Sequence, residues 1–264
     1  MGTEQKTNIK IETDSHFKGK SVFEHLRAAR LKGLRASEEH HGLEPQGHLV
    51  GAADAAKETA VITLFIWTLA TSLKLDFFPT ATILGFVTFG LFIWKMGRLA
   101  LVGWARLERV NRLIADEKHE IETNREEEKE ELTEIYRAKG FNPPLLDKVI
   151  DILMADDNKL LGVMLEEELG VALEVCEHPL KQAFGAGVGV LLASCLMTIG
   201  LVLPYALSFP ITSYLTVFIA SYVIAKIEGI RPLPSLVWNL SLTFLATSAV
   251  YFLCHFFLTY NGYV

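Results

Sequence analysis

Cysteine is scarce in this chain. Cys176, Cys195 and Cys254 are the only three in 264 residues, an odd number with no short paired spacing. That excludes a disulfide framework and a zinc-knuckle pattern. Two of them fall in apolar runs, where the expected role is that of a buried small hydrophobe. An excess of positive charge is also missing: 25 Lys and Arg stand against 31 Asp and Glu, for a net charge of −6. With no nucleic-acid-binding motif either, nucleic acid is excluded as a partner. The N-terminal fifty or so residues contain no apolar run, so no cleavable signal peptide is expected and internal segments must drive any membrane insertion. No HExxH sequence, nucleophile–base pair or cofactor fingerprint is visible, so neither an enzyme nor an organic cofactor is expected.

What is present is segregation. Half of the residues are hydrophobic, yet the charges gather in residues 1–58 and 105–181 and nearly vanish elsewhere. That pattern describes a multi-span membrane protein with soluble parts. Apolar runs cover Thr59–Leu73, Phe77–Trp94, Gln182–Ala225 and Pro232–Cys254. Pro204 and Pro210 divide the third into two helices joined near Leu203–Ile211. The prediction is an all-α integral membrane protein with five transmembrane helices and a cytoplasmic three-helix metal-binding domain between helices 2 and 3. Its parts are an N-terminal segment (1–53), helices 1–2 (54–104), the cytoplasmic domain (105–181) and helices 3–5 (182–264). Within the first part, residues 20–41 have the pattern of an amphipathic helix, lying on the membrane or on the acidic domain.

Orientation follows from Lys and Arg near the span ends. Lys18, Lys20, Arg27, Arg30, Lys32 and Arg35 precede span one; Lys95, Arg98, Arg106, Arg109 and Arg112 follow span two; Lys226 and Arg231 join spans four and five. The opposite connections hold only Lys74. The N-terminus and the acidic domain are therefore expected in the cytoplasm and the C-terminus outside. Lys95 and Arg98 are expected to reach the cytoplasmic interface.

The acidic domain opens with a helix expected from about Trp104 to Lys139. On it Glu117, Glu120, Glu128 and Glu131 fall within a stripe about 80° wide, at about 100° per residue. Like charges on one face repel, and a bound cation would offset that repulsion. On one continuous helix the two pairs lie about 16 Å apart along the axis, which implies at least two sites. Glu122, Glu126, Glu130 and His119 face the other way, where Arg125 and Lys129 can pair with some of the acids. The helix should stop before Gly140. Two shorter helices follow, at about Pro144–Met154 and Lys159–Leu169, the last ending at Gly170. Met164 and Glu168 share a face of this last helix. A carboxylate–thioether set suits a borderline transition ion better than Mg2+ or Ca2+. So thin a domain is expected to need metal or a partner chain to hold together.

These residues resemble the vacuolar iron transporter family. The resemblance is carried by Arg125-Glu126-Glu127-Glu128 with Glu131, Glu134-Ile135-Tyr136 and Lys139-Gly140. It continues through Val149 to Met154, Met164 to Gly170, Pro179 to Ala183 and Leu203-Pro204-Tyr205. It implies a homodimer with five spans per chain, in which a cytoplasmic domain collects Fe2+, or Mn2+ or Zn2+, for export from the cytosol by proton antiport. The implied metal ligands are Glu117, Glu120, Glu128, Glu131, Met164 and Glu168. The family's G-x-x-D-G stands here as Gly51-Ala52-Ala53-Asp54-Ala55, which makes Asp54 a candidate pathway carboxylate. Glu58 sits one turn later, and Met96 is the candidate pathway methionine. One departure stands out: Phe77 to Leu107 contains no acid, where the family carries one. A membrane-anchored metal-binding or sensing protein without transport therefore remains the alternative.

Overall fold

The computed structural model of the chain describes residues 47–170 and 177–260. The amphipathic helix expected at 20–41 and Cys176 lie outside them. Among the described residues there are eight α-helices and no strand. They are α1 (Gly47–Ser72), α2 (Phe77–Thr123), α3 (Arg125–Ala138), α4 (Pro143–Met154), α5 (Asp157–Glu167), α6 (Pro179–Val202), α7 (Ser208–Ile227) and α8 (Pro232–Tyr260). They divide into two compact units, and α2 contributes to both.

The apolar unit holds α1, α2 as far as Leu107, and α6 to α8. Helices α2, α6, α7 and α8 are long and apolar enough to cross a membrane. Helix α1 is also long, at 26 residues, but Asp54, Lys57 and Glu58 lower its hydropathy, so four such helices stand where five were expected. Pro210 lies inside the first turn of α7 rather than in the connection before it, a position where the missing N–H costs nothing.

Helix α1 packs against α6, α7 and α8. Its threonines bond their own backbone: Thr59, Thr63, Thr68 and Thr71 each donate to the carbonyl four residues back, at 2.7–2.9 Å. A hydroxyl satisfied within its own helix does not burden an apolar setting. Contact with α6 is backbone-close. A Cβ on Gly185 would sit 2.1 Å from the His48 carbonyl oxygen, and one on Gly189 would sit 1.9 Å from that of Ala52. Both pairs are four residues apart, so two turns of each helix meet through glycine, the small-residue crossing of membrane helices. Gly187, between them, accommodates Met96 Sδ and Phe92 of α2. Glu177 anchors the start of α1 by accepting the His48 N–H at 2.8 Å and meeting the ring Nδ1 at 2.5 Å. Burial alone would raise the Glu177 carboxyl, but hydrogen bonds from Lys181 and His48 outweigh it and hold it below the ordinary range.

The most apolar stretches of α2 and α8 are only 11% and 6% buried, against 44% and 50% for α6 and α7. Phe86, Phe89, Ile93 and Trp94 on α2 and Trp238, Phe244 and Phe252 on α8 are exposed. Apolar faces of that size suit a lipid solvent. Cys195 is exposed and Cys254 half-exposed, so these thiols are not buried as expected. Each lies on one of the apolar helices, outside the tight helix contacts.

The acidic unit contains α2 from Glu108 onward and α3 to α5. Its core is a cluster of Ile121, Leu132, Leu146, Ile150, Leu160 and Met164, beside a smaller one of Val110, Leu165 and Leu169. The expected helix from Trp104 to Lys139 is in fact two. Asn124 takes non-helical angles (φ −127°, ψ 37°), and its carbonyl accepts the amides of Glu127 and Glu128. Glu126, Glu127 and Glu128 thereby occupy the first turn of α3, where the exposed N–H groups favour negative charge. Helix α3 ends as expected before Gly140, whose φ of +91° suits glycine.

Candidate metal centre

The break at Asn124 builds the site. With the chain redirected there, Glu117 on α2 and Glu128 on α3 no longer lie a helical rise of about 16 Å apart. Glu168, the C-cap of α5, joins them. One carboxylate oxygen from each of the three lies within 4.8 Å of the others. The expectation of two separate sites on one helix is therefore corrected: the stripe folds back, and one cluster draws on three helices.

All three are buried, Glu128 completely. At 4.8 Å two carboxylates repel by roughly 3 kcal/mol in a medium of effective dielectric 20. Three ionised groups make three such pairs, a cost of about 10 kcal/mol, comparable to the whole stability of a domain. Protons or a cation must neutralise the cluster. Burial, then the charges of Glu117, Glu131, Glu120 and Glu127, push Glu128 up to about 9. Burial, then the charges of Glu117, Glu131, Glu128 and Glu120, hold Glu168 well above the ordinary carboxylate range. These two carboxyls favour their protonated forms at neutral pH, so any divalent cation held there would have to displace protons.

Glu131 is fully buried and Glu120 half-buried; their charges raise both Glu128 and Glu168. Met164 is fully buried in the apolar cluster, and its carbonyl accepts the Glu168 amide at 2.9 Å. Glu122, Glu126, Glu130 and His119 are exposed. Arg125 pairs with Asp157 at 2.7 Å and with the Met154 carbonyl, not with the neighbouring glutamates. Glu127 was outside the expected set, yet its charge reaches Glu128. The run Asn124-Arg125-Glu126-Glu127, a capping residue before acids, is the signal that could have placed both the break and Glu127.

A stability effect follows. Glu128 is raised when folded, so its contribution is fully present below about pH 4.5 and is lost as pH climbs through about 9. Between pH 4.5 and 7 this amounts to roughly 3 kcal/mol from Glu128 alone. Thermal melts of the chelator-treated full chain should shift down steadily from pH 5 to 9, with hydrogen exchange quickening over 108–170. A flat profile would mean that the carboxylates are solvated rather than buried together.

The three expected pathway residues lie in the apolar unit. Asp54 pairs with Lys57 at 2.9 Å, and Glu58 is bound by Lys95. Lys95 is 2% exposed: its ammonium turns into the protein, toward the acid on α1, where an outward-reaching cation is expected. Met96 packs over Gly187.

A model of the VIT family matches residues 104–255. No curated protein matches the chain. With more than half of its length covered, the chain belongs to the vacuolar iron transporter family, a family of membrane metal-ion transporters.

Proposed function

We propose that this member of the family moves divalent transition ions, Fe2+ and the related Mn2+ and Zn2+, out of the cytosol by proton antiport. One observation carries the reading: the buried convergence of Glu117, Glu128 and Glu168. In this reading the acidic unit is cytoplasmic and gathers the ion. Glu120 and Glu131 add charge to the cluster, and Met164, one turn from Glu168, adds the thioether that favours a transition ion over Mg2+. Ion and proton compete for the same carboxyls, which is the physical requirement for exchange. Counting α1, five spans cross the bilayer, with the N-terminus inside and the C-terminus outside. Two chains form a homodimer, and its cation path passes Asp54, Glu58 and Met96. The exposed faces of α2 and α8 offer both lipid and dimer contact.

A second reading has its own support. Phe77 to Leu107 carries no acid, and lysines already engage Asp54 and Glu58. A protein that binds metal without transporting it would have those features. Reconstituted full-length protein separates the two. Under anaerobic conditions with ascorbate, an imposed pH gradient should drive Fe2+ flux, and Fe2+ addition should move protons in return. Stoichiometric binding with no flux in either direction would sink transport and leave the binding role.

A further inference from the structure

The Glu58–Lys95 ion pair has no part in the metal cluster, and stability does not account for it. Lysine is almost never buried unless paired, because its ammonium loses its water. A buried ion pair in turn does no better than break even against well-packed apolar side chains. A lysine present only to satisfy the charge bias at a span end would stay outside, as Arg98 does one turn later. Lys95 instead turns inward, 2% exposed, and binds the carboxylate of Glu58 on α1. One turn before Glu58 stands Asp54, held by Lys57. The two carboxylates of α1 are thus balanced by two ammonium groups of the same chain, within helices that otherwise carry almost no charge.

We propose that Lys95 is a tethered counter-cation, whose ammonium occupies on Glu58 the place that a divalent ion would take and so sets which cations enter the apolar unit. An attached competitor acts at high effective concentration. A monovalent ion gains too little from Glu58 to displace it, whereas a divalent ion gains about twice the Coulomb energy at equal distance. The proposal deepens the transport reading, in which Glu58 lies on the cation path.

The test is a binding measurement, so it does not depend on transport. The full chain carrying Glu128→Gln and Glu168→Gln, which silence the acidic cluster, is titrated with Mn2+ in detergent by calorimetry and electron paramagnetic resonance. This parent should bind Mn2+ in the apolar unit only weakly, in the millimolar range, because the ion must displace the ammonium. Adding Lys95→Met should give a site at least tenfold tighter than that of the parent. Adding Glu58→Gln to that variant should abolish the gained site, and Lys95→Arg should never gain it. The Lys95→Met/Glu58→Gln pair also guards against misfolding, since it leaves no unpaired charge. No Mn2+ gain in a folded Lys95→Met protein would overturn the proposal, as would a gain that survives Glu58→Gln. In liposomes Lys95→Met should lower the KM for Mn2+ and slow its release, whereas a merely structural role would lower the flux at unchanged KM. Absent flux from the unmutated chain would instead defeat the transport reading and leave the binding result standing.

Discussion

Replacing Glu128 and Glu168 together by glutamine is expected to weaken Mn2+ or Fe2+ binding by at least about a hundredfold. Glutamine keeps the length and hydrogen-bonding capacity of the side chain but cannot supply the charge. Two of the three converging carboxylates go, leaving Glu117 with partners too weak for a divalent ion. The metal-free protein should respond in the opposite direction. Glu128 ionises only near pH 9 in the folded chain, so at pH 8 folding must place a proton on it; a glutamine needs none, and the substitution stabilises the fold by up to about 5 kcal/mol. Weaker binding together with a higher metal-free melting temperature is a combination that general damage cannot produce. If the double variant bound metal as tightly as the parent, the cluster would not be the metal site.

Gly189→Leu should prevent the apolar unit from assembling, and Gly189→Ala should already cost several kcal/mol. The obstacle at 1.9 Å is the Ala52 carbonyl oxygen. Backbone cannot rotate away as a side chain can, so α1 and α6 must separate and lose the contacts between them. Adding Gly185→Ala puts a second collision one turn away, against the His48 carbonyl. Gly90 and Gly97 provide controls, since a Cβ at either meets nothing within 4 Å. Unfolding in detergent, followed by fluorescence and by the monodisperse fraction after heating, checks the series. Equal stability of the Gly189→Ala and Gly97→Ala proteins would refute the close crossing.

Much of this architecture can be read from one chain. Hydropathy locates the apolar helices, and glycine marks the end of α3 and the stop after α5, because each is a local property of neighbouring residues. The family is legible from the acidic run and the segments around Met164 and Pro179, and the match over 104–255 agrees. What stays hidden depends on direction and on distant partners. Angular spacing reports position around a helix axis, not whether that axis continues. The single departure at Asn124 left the periodicity intact while removing the separation between Glu117 and Glu128. Lys95 shows the same limit. At the end of an apolar run its sequence context fits an interfacial cation equally well, and only Glu58, 37 positions earlier on another helix, turns it inward.

The threonines of α1 carry one more implication. Since Thr59, Thr63, Thr68 and Thr71 each satisfy their own helix, their hydroxyls do not tie α1 to its neighbours. Among the described residues, directional attachment of this rod falls in its first half, at His48 and Glu58. Beyond that point shape alone seats it, and shape permits a small rotation or slide without rupturing a threonine hydrogen bond. A movement of that kind would pivot about the half of the helix that carries His48 and Glu58.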